Sequence, residues 1–80
     1  MIKEYPFNIK DLHTTPMGVV RIRRNLRLRD SVDVVSFCRC LMLDAFAQFE
    51  RKGKNWYVTA GNVKITVNAN SNTIITVHRI

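Results

Sequence analysis

Five arginines stand close together, at Arg21, Arg23, Arg24, Arg27 and Arg29, and no Asp or Glu occurs between Thr14 and Arg29. Acids at helical spacing would neutralise such a run; without them the guanidiniums repel one another until a partner supplies phosphates or carboxylates. The planar donor fork of arginine matches phosphate geometry. A second set of reactive types lies further on: Glu50, Lys52, Lys54, Tyr57, Lys64, Thr66, Thr76 and His78. Metal-free RNA cleavage needs a base for the 2′-hydroxyl, an acid for the leaving oxygen and cations for the developing phosphate charge. Glu50 and His78 are the candidate acid and base, Lys52, Lys64 and Arg79 or the helix arginines the candidate cations, and Tyr57 a stacking surface or proton donor. The plain alternative is a solvated charged helix and the wet side of a sheet.

Whether these groups meet depends on the elements that carry them. From Ala47 to Ile80 the chain reads as four short strands. Gly61-Asn62 suits a two-residue hairpin with glycine first, which sets Ala60 opposite Val63, Val58 opposite Ile65 and Trp56 opposite Val67. Gly53-Lys54 does the same one hairpin earlier, placing Arg51 opposite Trp56 and Phe49 opposite Val58. A three-residue turn, Asn70-Ser71-Asn72, pairs Ala69 with Thr73, Val67 with Ile75 and Ile65 with Val77. These registers collect Ala47, Phe49, Trp56, Val58, Val63, Ile65, Val67, Ile75 and Val77 on one face. A slip of one residue would turn a strand's apolar set to water. The opposite face then carries Gln48, Glu50, Lys52, Asn55, Tyr57, Thr59, Lys64, Thr66, Asn68, Thr76 and His78, interrupted only by Ile74. Lys64 faces His78, Thr66 faces Thr76 and Glu50 faces Tyr57. Glu50 and His78 fall on the outer strands, about 14 Å apart at ~4.8 Å per strand step, too far for direct proton exchange. His78 with Lys64 and Tyr57 is the more compact set.

Upstream, Thr15-Pro16 is a helix start signal, a capping threonine followed by proline at the first helical position. Val19, Ile22 and Leu26 form the apolar stripe of this first helix, with Arg21 and Arg24 opposite and Arg23 and Arg27 on its flanks. Asp30-Ser31 caps a second helix, with Asp33 in its first turn. Its stripe of Val34, Val35, Cys38, Leu41 and Met42 is widened by Phe37 and Leu43, so it is buried against the sheet or against another subunit.

Eighty residues make one domain over 1–80: a tail at 1–12, helices at 15–28 and 31–44, and the sheet at 47–80. The fold class is α+β, two N-terminal helices packed on one face of a four-stranded antiparallel meander sheet. Thirteen Lys and Arg against six Asp and Glu give a net charge of +7, which favours polyanions, RNA before DNA. No apolar run is long enough to span a membrane and no signal-peptide core opens the chain, so a cytoplasmic protein is expected. Cys38 and Cys40, two apart on a helix, point away from each other, and two cysteines with two isolated histidines build no metal site. His13, just before a helix start, is a candidate anion contact. No nucleotide-binding glycine loop is present, and no cofactor is implied.

Several segments together resemble a family of short bacterial proteins known as a domain of unknown function. They are Leu12-His13-Thr14-Thr15, Gly18 with the arginines after it, Arg51-Lys52-Gly53-Lys54-Asn55-Trp56-Tyr57-Val58, Ile65-Thr66-Val67-Asn68-Ala69 and Thr73-Ile74-Ile75-Thr76. Met17 departs from the pattern where an acid is expected, and Asn72 where an aromatic is expected. The resemblance implies no activity. The order of elements also resembles the small RNA-cleaving toxins of the RelE, colicin and barnase type, with no motif that transfers residue by residue. The expectation is a nucleic-acid-binding domain, with metal-independent RNA cleavage by His78, Lys64, Tyr57 and Glu50 as its catalytic form. Arg21, Arg23, Arg24, Arg27, Arg29, Lys52, Lys54, Thr66 and Thr76 are the expected RNA contacts. The alternative is a non-catalytic interaction module or homodimer, motivated by the apolar second helix and the sheet's open edges.

Overall fold

The computed structural model describes residues 5–80. A short 3-10 helix, Ile9–Asp11, precedes two α-helices, α1 (Pro16–Leu26) and α2 (Val34–Met42). Four strands follow, β1 (Gln48–Lys52), β2 (Asn55–Ala60), β3 (Val63–Asn68) and β4 (Ile74–Arg79), in the order β1-β2-β3-β4, all antiparallel. The fold is α+β, with the helices preceding the sheet in the chain. One core cluster unites Ile22 and Leu26 of α1 and Val34, Cys38 and Met42 of α2 with Val58, Ile65, Val67, Ile74 and Val77 of the sheet.

The first two hairpins have the register that their turns dictate, with Phe49 opposite Val58, Trp56 opposite Val67 and Val58 opposite Ile65. Gly53 and Gly61 sit at φ of 59° and 60°, where a side chain would be strained. The third hairpin departs from expectation. Ile65 faces Val77 and Thr66 faces Thr76, but Val67 then faces Ile74 across a register shift at Thr66/Val67. Ile74 is therefore buried and Ile75 exposed, the reverse of the alternating pattern. The cause lies in the turn. Asn68 pairs with Thr73 through its N–H, its side chain accepts the N–H groups of Asn70 and Ser71, and Asn72 adopts φ of 58°. The loop is thus one residue longer than Asn70-Ser71-Asn72, Ala69 bonds to Lys54 O instead of pairing with Thr73, and the bulge absorbs the odd residue.

The helices are shorter than the spans 15–28 and 31–44. Thr15 caps α1 by accepting Gly18 N–H, as its sequence signal requires. Arg27 ends α1 in the left-handed region (φ 54°), and Leu28 N–H closes back on Arg23 O. Asp33, rather than Asp30-Ser31, caps α2, accepting the N–H groups of Val35 and Ser36.

The described part of the 1–12 tail is ordered by packing. Tyr5 and Phe7 meet Phe49 edge-on at 5.7 and 5.8 Å, and Phe7 lies 5.9 Å from Trp56. Arg39 donates to Ile9 O at 3.0 Å, tying this segment to α2. His13 then pairs with the outer edge of β4: its N–H donates to Asn72 O, and Ile74 N–H donates to His13 O. Thr14 Oγ1 donates to Ile74 O at 2.9 Å, and Asn25 Nδ2 to Val77 O at 3.1 Å. These contacts occupy edge groups of β4 that would otherwise be free to template another strand.

Candidate nucleic-acid interface

Helix α1 runs alongside β4 in the same direction, since Thr14 reaches Ile74 at its start and Arg79 donates to Leu26 O at its end. Asn25, in the last turn of α1, adds a second bond near that end, to Val77 O. Arg21 lies one turn before Asn25 on the same side of the helix, so it flanks this seam. At this seam α1 covers the β4 edge from the core side, and Arg21 is the clustered arginine nearest to it.

Four of the five clustered arginines, Arg21, Arg24, Arg27 and Arg29, are exposed, and no carboxylate among the described residues pairs with them. Arg23 is different. It is partly buried and donates to the carbonyls of Arg29, Asp30 and Val32, the last at 2.8 Å, with Asp30's carboxylate 4.0 Å away. Its guanidinium holds the link between the helices and is largely occupied. Arg79 is likewise spent on the C-terminal carbonyl of α1, a favourable place for a cation.

The open sheet face presents its side chains in rows across the strands. One row holds Gln48, Thr59, Lys64 and His78; the next holds Glu50, Tyr57, Thr66 and Thr76. Lys64 Nζ sits 5.3 Å from the centroid of the Tyr57 ring, and His78 Nε2 lies 3.3 Å from Thr76 Oγ1. Thr66, central in its row, is buried by its neighbours. Lys64, Tyr57, Thr66, Thr76 and His78 are thus brought together. Glu50 is not among them. It lies on the far outer strand, three strand steps from β4 or about 14 Å, and pairs with Lys52 at 3.4 Å. Lys52 and Lys54 border the β1–β2 turn, away from the α1 seam, and Trp56 is on the covered face between Phe7 and Arg51.

Two features escape a reading by residue type. Met17 and Val20 are 70% and 59% exposed on the arginine face of α1. The helical period of Ile22 and Leu26 places them there, opposite the core stripe. The other is a hydrogen-bonded chain at His13. Its Nδ1 donates to Asp11 O at 2.9 Å, because a carbonyl only accepts, which leaves Nε2 in the neutral ring to accept the Thr73 hydroxyl at 3.0 Å. Thr73 Oγ1 is in turn 2.8 Å from Ser71 Oγ. The contact spans 60 residues of sequence, so only the folded register reveals it. His13 also lines a cleft of about 400 Å³ with Thr14, Arg23, Asp33 and the apolar Leu12, Val19, Val34 and Val35. No group of His, Cys, Asp and Glu among the described residues is arranged to hold a metal ion. No helix among them is long and apolar enough to cross a membrane.

The elements and their exposed cations define a small basic α+β domain. The chain belongs to the family described as protein of unknown function (DUF3781), whose model matches residues 7–78. No curated protein and no solved structure matches it.

Proposed function

We propose that this domain binds RNA, with the exposed Arg21, Arg24, Arg27 and Arg29 on the phosphates and the Lys64–Thr76–His78 row as a second polar surface across the β4 edge. The observation that carries this reading is the set of Arg21, Arg24, Arg27 and Arg29, exposed and without acidic partners in the described chain. Four such cations within nine residues of chain are costly to leave unopposed and are well matched to a polyanion. Binding is favoured over cleavage, because Glu50 is paired with Lys52 and lies far from His78, which leaves the histidine without a carboxylate partner among the described residues. Replacing Arg21 and Arg24 by Gln should weaken RNA binding across sequences and lower the salt slope by about 1 for each phosphate no longer neutralised. Unchanged binding would count against the interface. In the catalytic form, purified protein degrades total RNA and His78→Ala abolishes it; intact RNA after incubation removes that form alone.

A second reading has its own observation. Phe46 is 88% exposed and Leu43 is also exposed, three residues apart ahead of β1. These two suit contact with a second copy of the chain, whereas the charged side chains of β1 disfavour edge-to-edge strand pairing. Sedimentation should show a dimer that Phe46→Ser converts to monomer; a wild-type monomer at all concentrations excludes it.

A further inference from the structure

We infer that the RNA taken by this surface is single-stranded, and that Met17 and Val20 contact its unstacked bases; this rests on the RNA-binding reading above. Met17, Val20, Arg21 and Arg24 are spaced three and four apart, so they share the outward side of α1, within about a third of its circumference at ~100° per residue. Both apolar side chains are more than half exposed, and Ile75, turned outward by the bulge in the neighbouring strand, is 36% exposed. Apolar side chains among phosphate-binding cations gain nothing from a duplex. A-form RNA presents phosphates and 2′-hydroxyls to a protein and keeps its base faces stacked inside. A single strand offers both chemistries along one path, with charge on its backbone and apolar faces on its bases. Charge complementarity selects a polyanion, and the apolar crest selects one with accessible bases.

The rest of the surface fits the same ligand. Across the β4 edge from the seam held by Asn25 and Arg79, Thr76 and His78 offer donors and acceptors on the open face of the sheet. Lys64 covers one face of the Tyr57 ring, whereas Met17 and Val20 have no side chain over them among the contacts described.

The test compares wild type with the double variant Met17→Ser, Val20→Ser on a single-stranded oligonucleotide and on a duplex of the same sequence, by fluorescence anisotropy. Because both residues are exposed, the variant should keep the wild-type thermal transition, which is checked in parallel. Wild type should favour the single strand, and the variant should lose affinity for it by about tenfold, the scale of burying ~55 Å² of apolar side-chain surface against bases. Its salt slope should not change, since no charge is removed. Equal wild-type affinity for both RNAs, or a variant that binds the single strand as wild type does, overturns the inference while leaving RNA binding intact. Binding to neither RNA, with or without binding to vesicles of anionic lipid, overturns the RNA reading itself.

Discussion

At the scale of single residues, the positions that look most replaceable are set by their neighbours. Gly18 lies in the first turn of α1, where alanine would ordinarily gain about 1 kcal/mol of helix propensity. A Cβ there would collide with Thr14 Oγ1, the hydroxyl bonded to Ile74 O. Gly18→Ala is therefore expected to destabilise the domain by about 1–3 kcal/mol in urea denaturation, through forced displacement of Thr14. A neutral or stabilising result would mean that Thr14 can move aside at no cost. The cysteines behave as unlike residues. Cys40 is exposed, whereas burial pushes the Cys38 thiol from 9.0 up to about 12. One thiol should react with a disulfide reagent in the folded protein near neutral pH and two after unfolding. The raised value also fixes a sign: the Cys38 contribution to stability is intact below about 9, the unfolded value, and is lost as pH climbs towards about 12. A stability curve flat through that window would contradict the burial of this thiol.

At the scale of elements, local chemistry accounts for most of the architecture. Glycine-led turns set both early hairpin registers, and Thr15-Pro16 sets the start of α1. The capping of α2 is ambiguous in the sequence, because Asp30, Ser31 and Asp33 all carry capping side chains; Arg23 decides it by holding residues 29–32 as a non-helical link. The last hairpin is legible only in part. Alternation cannot tell Ile74 from Ile75, and the choice rests on a turn in which Asn68 folds its side chain over the N–H groups of Asn70 and Ser71. The bulge makes a sharp forecast. Ile74→Ala should cost about 2–5 kcal/mol as a buried truncation, and Ile75→Ala should stay within about 0.5 kcal/mol. The opposite order in thermal or urea unfolding would restore the unbulged register.

At the scale of the whole molecule, the cover of the sheet is asymmetric. α1, α2 and the segment from Tyr5 to Thr14 take one face and much of the β4 edge, while the other face stays open. Which cations stay available to a partner is not legible from charge alone. Arg23 and Arg79 look identical to Arg21 and Arg24 in sequence, yet the fold commits the first two to carbonyls and leaves the others free of acidic partners among the described residues. The grouping of Lys64, Thr66, Thr76 and His78 follows from hairpin register and can be read in advance; the exclusion of Glu50 follows from strand order.

The most direct measurement of the central claim is RNA affinity as a function of salt. With Arg21, Arg24, Arg27 and Arg29 each neutralising one phosphate, the slope for a single strand is about −3, so binding should weaken roughly 50-fold between ~50 and ~200 mM salt. Affinity that is absent at micromolar protein, or that holds constant across that range, would contradict the account.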